Sequence, residues 1–362
     1  MKRKRVLVGL SGGLDSTISA LLLTREGYDV IGIHLKLWTD DKAPSLTKNL
    51  PENKCCSVRD LMLARGVAKK LNMPFYVIDF REKFKKAVVD EFLEGFNMGI
   101  TPNPCVECNR TVKFGFFLEK MKDLSADFVA TGHYSRNEWN PKRKMWELMR
   151  GCDDTKDQSY FLYNLSQEKL AHVLFPLGNF TKQKVREIAR KNGFQEFVEK
   201  RESQGVCFYP ETQYFPFLER HLPKSLFQKG SIVLKKNGQH IGEHEGLPRY
   251  TVGQRAKVGG MICPLYVLGS DLSKNILYVG ENEELFVDEL HLKKVSFIGE
   301  ELEEGSPIEI RIRHGGKPER AHIFGKNDER LIKFDKKIRA ITPGQSAVFS
   351  RGELILGGGV IV

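Results

Sequence analysis

Nowhere do the 362 residues contain an uninterrupted apolar run approaching the roughly 18 to 20 residues of a membrane span. The basic start, MKRKRVLVGLSGG, holds only about five apolar residues before its glycines, too few for the core of a secretory signal. Both absences point to a soluble, cytoplasmic protein. A Gly-Lys-Ser/Thr ending and a Gly-x-Gly-x-x-Gly fingerprint are also missing, which excludes a Walker A loop and disfavours a dinucleotide site. There is no second Cys-x-x-Cys and no paired-histidine cluster, so a structural zinc site lacks its four ligands. Seven cysteines is an odd and modest count, which argues against a secreted disulfide framework and leaves thiols for chemistry or ligation. Repeats and low-complexity tracts are absent.

What is present is a surplus of positive charge. Fifty-seven Lys and Arg against 46 Asp and Glu give a formal charge of +11, which draws the chain toward polyanions. The length exceeds what a single hydrophobic core organises, so two or three domains are expected. RVLVGL (5 to 10), DVIGIHLKLW (29 to 38), FYVIDF (75 to 80) and DFVATGH (127 to 133) read as strands. Leu61, Ala64, Ala68 and Leu71 share one helical face between the second and third. Strands alternating with helices imply an α/β fold with a covered parallel sheet, and ligands of such sheets bind beyond the strands' carboxyl ends. From 156 to 200 the pattern turns helical, with Thr181 as a cap and Gly193 as a terminator. Residues 211 to 285 are Gly-rich and mostly β. Ile308, Ile310 and Ile312 alternate with Glu309, Arg311 and Arg313, so the last segment reads as a small antiparallel barrel or sandwich. The expected domains are 1 to 205, 206 to 285 and 286 to 362.

GLSGGLDS (9 to 16) joins the first strand to a helix whose apolar face includes Ile18, Leu21 and Leu22. Glycines let the backbone close on an anion, and the helix start offers unpaired N–H groups at the positive end of its dipole. This is a phosphate cradle. Ser-Gly-Gly-x-Asp-Ser at this place resembles the loop of the ATP pyrophosphatases, which split ATP into AMP and pyrophosphate to adenylate a substrate. The resemblance implies that Gly9, Leu10, Ser11, Gly12, Gly13, Leu14, Asp15 and Ser16 bind ATP, with Asp15 near a magnesium ion arriving with the nucleotide.

TPNPCVECN (101 to 109) sets Cys105 and Cys108 two residues apart beside two prolines. Half a zinc site, an iron–sulfur ligand set, a redox disulfide, or a nucleophile beside a helper all suit such a pair. Cys207, in SQGVCFY, is a distant third cysteine in a second loop.

An adenylating loop, a Cys-x-x-Cys loop and a remote cysteine together resemble the tRNA-specific 2-thiouridylases, which replace the 2-oxygen of the wobble uridine with sulfur. The likeness extends through TPNPCVECNRTVKFG, ATGHY, KDQSYFLY, FPLGNFTKQKVREIA, SQGVCF, HEGLPRYTVGQR, PLYV and ITPGQSAVF. It implies that Cys108 is the nucleophilic thiol and Cys207 the persulfide carrier, with Arg110, Lys113 and Lys156 as candidate positive neighbours for a thiolate. Many members carry Asp where this chain has Cys105. Cys105 is therefore open to three roles: contacting the flipped base, resolving a disulfide with Cys108, or joining Cys108 and Cys207 around an iron–sulfur cluster. Cys55, Cys56, Cys152 and Cys263 read as structural or incidental thiols.

The same resemblance implies that Asn103, Pro104 and Cys105 border the target base, and that His133 and Gln345 help recognise it. Lys156, Asp157 and Gln158 would touch tRNA, as would Arg313 and His314 from the last domain, while Leu35 and Gly132 would line the nucleotide pocket. Extruding a base from an unpaired anticodon loop costs little, which suits that substrate. The implied partners are tRNA and a sulfur-donor protein, a carrier or a cysteine desulfurase, with the chain acting as a monomer. Two other readings remain: an amide- or argininosuccinate-forming ligase of the same superfamily, and a non-catalytic RNA-binding protein.

Overall fold

The structure is a computed structural model that describes residues 3–43, 57–200, 205–211, 213–259 and 263–362. The pair Cys55 and Cys56 lies outside the described residues. The chain opens with β1 (Arg5–Gly9), α1 (Leu14–Arg25), β2 (Asp29–Lys36), α2 (Val58–Lys70) and β3 (Phe75–Asp79). β4 (Phe128–Ala130) and the two-residue β7 (Val173–Leu174) complete a parallel sheet of order β3-β2-β1-β4-β7. Val6, Leu7 and Val8 are wholly buried at its centre because helices cover both faces. The chain runs outward from β1 to β3 and then crosses back to β4, so the order reverses at β1 and β4. Their carboxyl ends part there and leave a crevice.

Between β4 and β7 stands a hairpin, β5 (Ser135–Asn140) and β6 (Met145–Arg150), that the sequence reading does not anticipate. It leaves the parallel sheet and adds to the last sheet of the molecule through Met149 and Leu354. The stretch from 156 to 200 is less helical than expected. Its main helix is Lys182–Lys191, capped as anticipated by Thr181, whose hydroxyl accepts the Lys184 N–H at 3.2 Å, and closed by Gly193 at φ 70°.

A five-stranded sheet follows: β8 (Gly230–Leu234), β9 (His240–His244), β10 (Arg255–Ala256), β11 (Leu265–Asp271) and β12 (Ile276–Gly280). The last six strands are β13 (Phe286–Phe297), β14 (Ser306–Arg311), β15 (Glu319–Phe324), β16 (Arg330–Arg339), β17 (Ser346–Arg351) and β18 (Leu354–Ile361). They pair antiparallel in the order β13-β16-β15-β14-β17-β18, and β13 pairs again with β18, closing a barrel, one of the two forms that the alternation allows. Closure removes the unpaired edges.

One detail of that alternation is corrected. β14 ends at Arg311, so Arg313 lies in the following turn and not on a strand's polar face. Arg311 is itself buried: its guanidinium meets the buried Asp157 at 3.0 Å, which binds the barrel to the first part of the chain.

Candidate active site

A cleft of about 370 Å³ opens where β1 and β4 part. On one side lies the glycine loop. Gly13 precedes α1 with extended backbone, and its carbonyl accepts the Ser16 hydroxyl at 3.0 Å and the Thr17 hydroxyl at 2.9 Å. Ser11 and Ser16 share a hydrogen bond of 3.2 Å between their hydroxyls. Gly12 sits at φ 72°, where an L side chain is strained, and a Cβ there would collide with the Asp60 carbonyl in the first turn of α2. Gly132, just past β4, would place a Cβ within 2.9 Å of the Asp15 carbonyl carbon. Its bareness lets the end of β4 close on the loop. Gly9, Leu10, Ser11, Asp15, Ser16, Leu35 and Gly132 line the cleft, whereas Gly12, Gly13 and the buried Leu14 shape it from behind.

Asp15 is more engaged than sequence reasoning foresees. Lys182, almost wholly buried, reaches both of its carboxylate oxygens at 2.8 and 2.9 Å, and the Tyr134 hydroxyl donates to it at 2.8 Å. Lys200 donates to the Gly12 carbonyl at 3.0 Å and also pairs with Asp60. Lys182 and Lys200 follow the loop by more than a hundred residues, and no spacing rule links such distant positions.

The second wall carries the thiols. Asn103 caps a short helical turn, Pro104–Glu107, by accepting the Val106 N–H at 3.4 Å, and Pro104 occupies the first helical position, where a missing N–H costs nothing. The backbone then winds as a π-helix over Cys108–Phe116, kinked at Phe114, whose φ of −120° and ψ of 19° are not helical. Pro104, half-buried Cys105 and buried Cys108 line the cleft from this element. Cys207 enters from the segment Gly205–Phe208, so the three cysteines face one space with the glycine loop. Phe208 and Tyr209 anchor that segment in a core that includes Phe84, Phe92 and Phe217. Tyr209, which the sequence does not single out, has its phenol pushed up by burial, with Cys105 next among the groups that raise it and Cys207 also contributing.

His133 and Gln158 line the same cleft. His133 is buried, shares a 2.7 Å hydrogen bond with the Thr131 hydroxyl, and is held well below the ordinary imidazole range by burial and by the charge of Lys113. It is therefore neutral at pH 7. Gln158 is fixed by two bonds to the Tyr134 backbone, at 2.9 and 3.1 Å.

The remaining candidates lie elsewhere. Asp157 is buried, and although burial opposes its ionisation, hydrogen bonds from Ser159 and the Arg311 guanidinium hold its carboxyl below the usual carboxylate range. Its side chain is committed to the interior, so the surface pairing of Lys156 with Asp157 does not occur; Lys156 is half-buried beside it and outside the cleft lining. Gln345 does not reach the cleft: its amide donates to the Thr101 carbonyl at 2.8 Å, fastening the TPGQ turn onto the TPNPC loop. Arg313 and His314 are exposed on the barrel, with His314 packed 4.5 Å from the Phe161 ring centroid. Among the cations offered as thiol neighbours, Arg110 is exposed and paired with Glu107 at 2.7 Å, and only Lys113 lines the cleft. Cys152 and Cys263 are exposed, away from it.

A parallel sheet with a glycine-rich anion loop at its switch point, facing a wall of thiols, defines a nucleotide-dependent enzyme of the HUP class. Family models described as the tRNA methyl transferase HUP domain, the tRNA methyl transferase PRC-barrel domain and the aminomethyltransferase beta-barrel domain match residues 4–211, 216–281 and 287–361. The tRNA-specific 2-thiouridylase MnmA of Clostridium perfringens is 41% identical over 100% of this chain and 99% of its own length. Its counterparts in Clostridioides difficile and Caldanaerobacter subterraneus are 41% and 42% identical, each over 99% of this chain and 98% and 97% of their own. The chain belongs to the tRNA-specific 2-thiouridylase family.

Proposed function

We propose that this protein uses ATP to replace the 2-oxygen of the wobble uridine of tRNA with sulfur. The observation that carries the reading is the convergence of Cys105, Cys108 and Cys207, drawn from two separated loops, on one cleft with the glycine loop. The loop and the start of α1 receive the triphosphate, and attack of the uridine 2-oxygen on the α-phosphorus expels pyrophosphate. An oxygen that leaves poorly now leaves as AMP. The persulfide anion on Cys207, loaded by a sulfur-donor protein, then forms a bond to C2 while the C2–O bond breaks and its electron pair departs with AMP. Cys108 thiolate next attacks the Cys207 sulfur. The S–S bond to the transferred sulfur breaks, 2-thiouridine is released, and the resulting Cys108–Cys207 disulfide is reopened by a dithiol reductant. Cys105 and Tyr209 border this exchange.

Methyl transfer, the wording of the family descriptions, a protein-held magnesium ion and an iron–sulfur cluster fit less well. Methyl transfer gives no use to a phosphate loop opposite three thiols. A protein-held magnesium ion would need the Asp15 carboxylate, both of whose oxygens meet Lys182. Among the described residues no group of three His, Cys, Asp or Glu side chains gathers closely enough to hold a metal ion, so an iron–sulfur cluster on the three cysteines finds no ready ligand set.

Asn103, Pro104, His133 and Gln158 are read as the collar of the extruded base, with neutral His133 able to donate or accept one hydrogen bond. Lys156, Arg313 and His314 are read as backbone contacts outside the cleft, and Gln345 and Asp157 as positioning residues. The test is Cys207→Ser with purified tRNA and ATP: pyrophosphate release per tRNA is expected to persist while thiolated nucleoside, measured by mass spectrometry, disappears. Equal loss of both would refute the division of labour.

A further inference from the structure

Among the described residues that line the cleft, Lys113 is the only Lys or Arg. The other cations around it have carboxylate partners: Lys182 has Asp15, Lys200 has Asp60 and Arg110 has Glu107. Among the described residues no carboxylate lies within ion-pair reach of Lys113, and the group that registers its charge is neutral His133. A half-buried ammonium with no counter-charge is costly to keep unless an anion comes to it.

The winding of the backbone puts it there. In an α-helix the fifth residue after Cys108 would stand about 140° round the axis. The π-helix over Cys108–Phe116, with its i to i+5 hydrogen bonds, closes a turn in more residues and returns position 113 to the side that Cys108 occupies. The Phe117 N–H accordingly bonds to the Val112 carbonyl, five residues back. Cys105, Cys108, Lys113 and Phe117 share the cleft face, while Val112 is turned wholly into the core.

The reaction sequence above has two departures. Pyrophosphate leaves first, and the glycine loop with the start of α1 is its anion site. AMP leaves second, as the sulfur–C2 bond forms and the C2–O electron pair passes to a phosphate oxygen. That charge develops beside the thiols, at the other wall. We propose that Lys113 is a further catalytic residue, contacting the phosphate of the adenylated uridine and stabilising AMP as it leaves. This rests on the adenylation reading, and its failure is distinguishable from failure of that reading.

The experiment is a single turnover of the full-length enzyme, loaded with persulfide and mixed with tRNA and radiolabelled ATP. In Lys113→Met the first pyrophosphate is expected at the wild-type rate. AMP and 2-thiouridine are expected about 10²-fold more slowly, as when one oxyanion donor is removed, with adenylated tRNA accumulating between. Lys113→Arg should restore most of the AMP rate, which a merely structural role would not predict. The proposal is overturned if pyrophosphate and AMP slow together, if neither slows, or if the only change is slower alkylation of Cys108 by iodoacetamide in the nucleotide-free enzyme, which would make the thiolate its anion. Absence of AMP in the wild-type protein would instead sink the adenylation reading.

Discussion

Under the proposed function single side chains carry the chemistry, and several are visible as letters. Cys108, Cys207 and Ser-Gly-Gly-x-Asp-Ser stand out because thiols and glycine loops have few bland uses at such positions. Lys182 and Lys200 were not visible, because their meaning is a contact with Asp15 and Gly12 made between positions 167 and 188 residues apart. At this scale a pH effect is expected. His34 is held below the ordinary imidazole value by burial, despite its bond to the Leu10 carbonyl, and His133 by burial together with Lys113. Below about pH 6.5 the unfolded chain therefore binds more protons than the folded one. Stability is full above that value and falls as pH drops toward the lowered folded-state values. Urea midpoints at pH 7.5 and 5.5 should differ in that direction, and His133→Gln should narrow the gap.

Among the elements, the loop between β1 and α1 depends on what presses against it. Gly132 is an unremarkable glycine in ATGHY until the end of β4 is seen against Asp15 and Ser16. Gly132→Ala puts a methyl 2.9 to 3.0 Å from that backbone, so the loop must shift. The expected result is a fall of about tenfold or more in tRNA-dependent pyrophosphate release, since misplacing bound reactants by even a fraction of their contact distance is costly. An unchanged rate would show that the loop tolerates displacement. The π-winding after Cys108 is an element-scale fact of the same kind. Period-3.6 reasoning finds helices well but is blind to a local change of period, so the face that Lys113, a candidate thiol neighbour from the sequence, shares with Cys108 is set by the winding. Thr181 and Gly193, whose capping is local, were legible without the structure.

Across the whole molecule, the barrel is tied to the first part of the chain by the β6–β18 pairing, by a shared apolar cluster that includes Tyr160, Phe175, Val348 and Ile355, and by buried polar contacts. Arg311 meets Asp157 at 3.0 Å, with both side chains buried, and the TPGQ turn docks on Thr101. Arg311→Met removes one partner of a buried pair and leaves Asp157 to Arg150. A loss of roughly 3 kcal/mol is expected from denaturant titration, because an undercompensated charge stays inside. A change below about 0.5 kcal/mol, the range of ordinary surface substitutions, would show the tie to be dispensable. The surplus of +11 makes a second prediction: tRNA affinity should fall linearly in log K against log salt as released counterions cease to favour binding. A flat response would separate the charge from docking.

The sequence by itself determined the α/β class and the glycine loop after the first strand, narrowed the last segment to a small antiparallel barrel or sandwich, and singled out Cys105, Cys108 and Cys207 as candidates, because each depends on neighbours a few residues apart or on a distinctive residue type. Only the tertiary structure decided which of the many cations face the cleft, that Asp157 and Arg311 belong to the interior, and that a hairpin from the first segment joins the barrel's sheet. Those outcomes are set by which surfaces lose water together when distant segments pack, and burial between remote residues leaves no periodic trace along the chain.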